Sequence, residues 1–204
     1  MTKLLLLILV FSTLQLKAQD SLFYSGGALQ AVGQVIEGKK HGQWKYYYPG
    51  GALNSIENYD SGKLHGPVTY FDPEGNKIGI EHWDKGLLTD SAKYYYSNGQ
   101  LEKAGVYVDG YYEGIWHFYH PNGILKRALN YHKGEPHGEW KYYNEKGILI
   151  QEGRYEYGKE TGEWKFYNDE GKLEYQGSYQ NGERTGKWYY INEKGKKIEI
   201  DYDR

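Results

Sequence analysis

The chain has no cysteine and only one methionine in 204 residues. The missing cysteine excludes a disulfide framework, and also the lipid-carrying cysteine of a bacterial lipoprotein. No charge of one sign dominates: 25 basic residues stand against 27 acidic ones, interspersed along the chain, for a formal charge of −2. Such a distribution offers no electrostatic surface for a nucleic-acid backbone, and nucleic acid is set aside as a partner. Phenylalanine is scarce as well, at 5, whereas there are 24 tyrosines, 6 tryptophans and 28 glycines. Aromatic residues that pack one side and still present a polar atom suit a sheet with one wet face, and glycine-rich turns suit many short hairpins. The class is all-β before any motif is read.

Long apolar runs are also missing, except at the start. After Lys3 comes the run Leu4 to Val10, extended through Phe11, Leu14 and Leu16 and followed by Lys17, Ala18, Gln19 and Asp20. It fits a secretory signal over residues 1–18, cleaved after Ala18. A membrane anchor fits less well. The run is shorter than the roughly 20 residues that a spanning helix needs, and Ser12, Thr13 and Gln15 interrupt its second half. The expectation is a soluble mature chain, 19–204, in the periplasm or outside the cell.

Self-similarity organises the rest. Glycines recur at Gly42, Gly66, Gly114, Gly138, Gly162 and Gly186 in steps of 24 or 48, with Asp90 in phase at the gap. Two residues on stand Trp44, Val68, Ala92, Trp116, Trp140, Trp164 and Trp188. A turn glycine recurs from Gly51 to Gly195, and a second aromatic column runs Tyr59, Trp83, Tyr107, Tyr131, Tyr155, Tyr179, each followed three residues later by glycine. Units therefore start near 18, 42, 66, 90, 114, 138, 162 and 186. Within one unit Trp140 to Tyr143 predicts a strand, Asn144 to Gly147 a turn and Ile148 to Tyr155 a second strand. Gly158 to Gly162 is expected to reverse the chain into the next hairpin. Two strands per unit add about 10 Å to a sheet, giving an elongated single-layer antiparallel sheet or β-solenoid. Ladders of Trp against Trp and Tyr against Tyr are expected to hold neighbouring units together. The charged tail, with Lys194, Lys196, Lys197 and Glu199, reads as a cap against further strand addition or simply as a polar terminus.

The unit Gly-x-Trp-x-x-Tyr-x-x-x-Gly, then an aromatic and x-x-Gly, resembles the bacterial variant of the MORN repeat, the type collected as YwqK-like antitoxins. Gly138 to Tyr143 with Tyr155 and Gly158, and Gly162 to Tyr167 with Tyr179 and Gly182, carry the resemblance best. It covers about 18 to 204 and implies the hairpin architecture. It also implies protein scaffolding, membrane attachment or the neutralising of a toxic protein, and it brings no catalytic residues.

Chemistry-bearing residues were sought and none converge. His41, His65 and His137 share a column, but neighbours in it stand roughly 10 Å apart, too far to share one zinc. His117 and His120 lie at an odd spacing, on opposite faces of a strand, with His132 on the partner strand. Carboxylates are spread one per unit beside lysines, no serine lies in a Gly-x-Ser-x-Gly setting, and no glycine loop precedes a helix. Lys45, Lys93, Lys141 and Lys165 form a column that Glu139 and Glu163 offset, read as a solvated face. The expectation is a non-enzymatic chain without cofactor or metal.

The repeat breaks its own rule in two adjacent units, where Trp gives way to Val68 and Ala92 and Trp83 replaces Tyr. Losing two indoles side by side leaves a volume to be refilled or kept as a notch. Val68, Trp83, Ala92 and Tyr107 mark this candidate ligand notch, or a bend in the sheet, and Leu87, Leu88, Tyr111 and Tyr112 are the side chains at hand to refill it. The expected partner is a protein. Rows of Tyr and Trp on which sugar rings could stack make a cell-wall glycan the alternative, with a membrane surface behind both.

Overall fold

The computed structural model describes residues 19–200; the segment 1–18, expected to be a secretory signal, and the last four residues lie outside them. Seventeen strands form one antiparallel sheet. The strands pair in chain order, from Asp20–Phe23 at one edge to Lys197–Ile200 at the other, except that Leu53–Asp60 bonds both the short Lys63–Leu64 and Gly66–Phe71, and the sheet stays open. No helix occurs among the described residues.

Four left-handed backbone positions per unit build this order. At the hairpin tip, the N–H of Gly147 bonds the carbonyl of Asn144 while Asn144 N–H bonds Ile148. This is a type I turn closed by a glycine bulge, with Gly147 at φ 78°. At the other end Tyr157 and Gly158 both have positive φ (48° and 77°), the signature of a two-residue primed turn that matches strand twist. The reversal expected over Gly158 to Gly162 is therefore complete at Gly158. Gly162, at φ 68°, does something else. Glu152 pairs with Lys165 and Arg154 with Thr161, so Gly153 alone faces three residues, 162–164. Gly162 is the hinge of a bulge. Asp90 fills that place at φ 58° in its own unit, and its carboxylate accepts the N–H of Ser91 at 2.7 Å, a conformation aspartate tolerates better than most residues.

The bulge lets the Trp column lie flat on the preceding strand. A Cβ placed on Gly33, Gly105, Gly153 or Gly177 would stand less than 3.0 Å from ring atoms of Trp44, Trp116, Trp164 or Trp188 respectively. Only glycine leaves room for that approach. The indoles then pack edge-on against the tyrosine column: Trp116 on Tyr107 (centroids 5.0 Å), Trp164 on Tyr155 (5.2 Å) and Trp188 on Tyr179 (5.1 Å). The expected Trp-on-Trp ladder is thus a Trp-on-Tyr one, because successive indoles are separated by the glycine strand. One face of the sheet carries this layer, with Trp44 and Trp164 each 1% exposed.

A second row crosses the same face, every step a register pair: Tyr46, Ser55, Tyr70, Gly79, Tyr94, Lys103, Phe118, Arg127, Tyr142, Gln151, Phe166, Tyr175, Tyr190. Aromatic rings occupy alternate strands, and the residue between them differs from unit to unit.

Candidate functional site

The units that lack Trp hold the most distinctive chemistry. Eleven residues before the Trp column stand Gly33, Glu57, Glu81, Gly105, Leu129, Gly153 and Gly177. Glutamate appears where the indole is gone: Glu57 before Val68, and Glu81 before Ala92. A side chain at this column and an indole exclude each other on the distances above, so the two carboxylates take up the volume that two indoles would fill. Val68 (0% exposed) and Ala92 (1%) are buried beneath this packing, and Leu88 packs on the neighbouring cluster.

Glu81 pairs in register with Val68 and is itself only 9% exposed. Its carboxylate accepts three donors: the phenol of Tyr94 at 2.5 Å, the phenol of Tyr70 at 2.9 Å and the indole N–H of Trp83 at 3.1 Å. Tyr94 in turn meets the hydroxyl of Tyr107 at 3.2 Å. Glu57 accepts from Tyr59 (2.6 Å) and Ser55 (2.8 Å), and Tyr59 bonds Tyr46. Val68, Trp83, Ala92 and Tyr107 are therefore brought together, around Glu81. Burial, and next to it the bonds to Glu57 and Glu81, hold the phenols of Tyr59 and Tyr94 well above the ordinary tyrosine range. Tyr70 and Tyr107 are raised too, burial again being the main cause. The phenols stay protonated and serve as donors to the carboxylates.

The sequence reading missed the two glutamates. Their signal was available, since the glycine column exchanges for glutamate in step with the loss of Trp. Leu129 is the exception that keeps its Trp, and there the register changes so that Leu129 pairs directly with Trp140.

His65, His132, His41 and His120 each meet a separate partner, whereas His137 Nδ1 is buried without a hydrogen-bond partner among the described residues. His65 lies 3.1 Å from Asp84, His132 3.1 Å from Glu113 and His41 3.8 Å from Asp60. The N–H of Lys133 first and His132 next hold Glu113 below the usual carboxylate range. His120 sits in a hairpin tip, bonded to the carbonyl of Tyr143 at 2.8 Å. Among the described residues no group of three or more His, Asp or Glu is placed to hold a metal. In the lysine column, Lys165 lies 3.3 Å from Glu163 and 3.8 Å from Glu152.

The face opposite the indoles differs in the central hairpin. Val106, Val108, Tyr111 and Ile115 point there, with exposures of 42 to 60%. Val108 pairs with Tyr111 and Val106 with Glu113. Corresponding positions in the next hairpin are Asn130, His132, Glu135 and Glu139.

Comparison with known proteins agrees with this architecture. None of the curated proteins matches the chain. Solved structures of low similarity include TcdB2-TccC3-TEV (14% identity over 83% of this chain and 12% of that one, TM-score 0.21). Another is the Photorhabdus luminescens Tc holotoxin pore (15% identity, 83% and 11%, TM-score 0.21). The chain spans only a small part of either. The profile of the MORN repeat variant matches residues 40–61, 91–109, 112–133, 136–157 and 160–181. It passes over 62–90, the stretch that holds Val68, Glu81 and Trp83. With more than half of its length matched in five copies, the chain belongs to the MORN repeat variant family.

Proposed function

We propose that this chain is an exported, non-catalytic scaffold that binds a partner protein through the outer face of its central hairpin. The observation that carries this reading is the exposed group Val106, Val108, Tyr111 and Ile115. The four sit together on two paired strands, and contiguous apolar patches on soluble proteins mark interaction sites. The indole face fits that task less well, because its tryptophans are covered by their own neighbours. Neutralising a toxic protein outside the cytoplasm is the form of this binding that the antitoxin resemblance suggests.

The test is capture from a cell-envelope extract with the tagged chain as bait, against a bait carrying Val106→Glu and Ile115→Glu. A dominant protein recovered by the first and lost by the second, with both baits folded, supports the reading. A protein held equally by both would move the interface elsewhere, and recovery of wall glycan without protein would replace the reading.

A further inference from the structure

We propose that a pocket on the aromatic face, formed by Lys103, Lys126 and Arg127, binds the carboxylate of an acidic sugar residue. The pocket has a volume of about 330 Å³ and lies where the second row runs Tyr94, Lys103, Phe118, Arg127, Tyr142. Lys103 and Arg127 are thus flanked in register by aromatic rings, and Lys126 Nζ lies 6.0 Å from the Tyr142 ring centroid. The Arg127 guanidinium lies 4.1 Å over Phe118, and Lys103 Nζ lies 4.3 Å over Tyr94 while donating to the hydroxyl of Tyr112 at 2.9 Å.

These three cations share one pocket, and none of them is paired with a carboxylate among the described residues. Lys165, Lys172 and Lys187 each have a glutamate within 4.0 Å. Among the described residues no carboxylate comes that close to Lys103, Lys126 or Arg127, and Arg127 donates no hydrogen bond, its Nε being buried without a partner. Glu102 is the one acidic residue on the pocket wall, so three cations less one carboxylate leave two positive charges there. A buried guanidinium N–H left unpaired is costly, and the planar fork of arginine suits an incoming carboxylate. The position is also specific to these units: Ala31, Ser55, Gly79, Gln151 and Tyr175 stand at the same place elsewhere.

The surroundings favour a sugar over a peptide or a membrane. Tyr112, Phe118 and Tyr119 on the walls offer flat ring edges for a pyranose and hydroxyls for its polar groups. The pocket lies in mid-sheet, where backbone groups are already paired, so no peptide strand can be added. An anionic bilayer calls for a wide basic face, whereas this chain is near neutral. The inference concerns the face opposite the proposed protein interface and does not rest on it.

The experiment is calorimetric titration of the whole chain with a short oligogalacturonate, set beside its methyl ester, inorganic phosphate, polyglutamate and vesicles containing phosphatidylserine. We expect oligogalacturonate to bind, and the ester at least about ten-fold more weakly, the size of one lost charge-assisted hydrogen bond. Arg127→Gln and Lys126→Gln should each weaken oligogalacturonate by a similar factor, with Lys141→Gln, on the other face, unchanged. Arg127 packs on Phe118, so Lys126→Gln decides the matter if Arg127→Gln fails to fold. No oligogalacturonate binding, equal binding of ester and acid, or indifference to Lys126→Gln would overturn the proposal. So would tighter binding of phosphate, polyglutamate or vesicles.

Discussion

Replacing Gly153 by alanine adds one methyl group at the point where the fold has no space for it. The new Cβ would stand less than 3.0 Å from Trp164 ring atoms, whereas carbon atoms rest about 3.5 to 4.0 Å apart. The indole must therefore retreat by about an ångström. It cannot do so freely, because Tyr155, Phe166 and Tyr179 surround it at centroid distances of 5.2, 6.2 and 5.7 Å. Overpacking of this kind costs about 1 to 3 kcal/mol, and full burial of Trp164 places the case at about 2 to 3. In a domain of this size that lowers Tm by about 5 to 12 °C. The control is Trp164→Ala, which alone should cost about 3 to 5 kcal/mol. With the indole gone, Gly153→Ala should become neutral or stabilising by up to about 1 kcal/mol, since the backbone there is not left-handed. The double-mutant cycle read by urea denaturation should give a coupling of at least about 2 kcal/mol. A harmless Gly153→Ala in the wild-type background, or additive costs in the double variant, would refute the account of the glycine column.

The converse exchange should hold in the central units: Ala92→Trp ought to be severely destabilising while Glu81 stays in place, and Glu81→Gly in the same chain should recover part of the loss in a thermal melt. If the region around Val68 and Ala92 takes a ligand, Trp at both positions, with Glu57→Gly and Glu81→Gly in the same chain to make room for the indoles, should abolish binding, and unchanged binding would remove that role. Alkaline titration followed by tyrosinate absorbance should show a late class of phenols. Burial first, then Glu160 and Glu152, pushes Tyr155 and Tyr167 up to about 12, and Tyr59, Tyr70, Tyr94 and Tyr107 are raised as well. A raised folded-state value means that stability is fully present below the ordinary tyrosine pKa of about 10 and is lost as pH climbs through 12. A melting temperature that stays flat over that interval would contradict the packing. Tyr48→Phe, which removes a 2.9 Å bond to the carbonyl of Phe71, should cost about 0.5 to 1.5 kcal/mol by denaturant titration.

The period and the class were legible because turn glycines and aromatic residues are spaced by backbone geometry alone. Gly147 and Gly158 announce themselves, since a positive φ is needed there whatever the neighbours do. Gly153 and Gly162 were harder to interpret. The letter is the same, but one hinges a bulge and the other clears space for an indole eleven residues on, and only the cross-strand register tells these roles apart. The candidate notch is legible only as a change of pattern at Val68 and Ala92. Its contents were not read, because Glu57 and Glu81 sit in a column that had not been aligned with the Trp column. The cations Lys103 and Arg127 were invisible for a related reason: their setting depends on three strands meeting in register, not on any local motif.

The two ends of the hairpins are fastened differently. At the primed turns, glycine N–H groups reach the preceding unit all along the chain, from Gly62 to Lys40 through Gly182 to Glu160. At the tips, Tyr24, Tyr48, Tyr96 and His120 bond a carbonyl 23 residues further on. Asn144, Asn168 and Asn192 instead turn their side chains back onto their own loops. Asp72 also turns its carboxylate onto its own loop, but the other tips are tied as far as Tyr143 and untied beyond it: pulled or warmed, the array should open tip by tip from its C-terminal units.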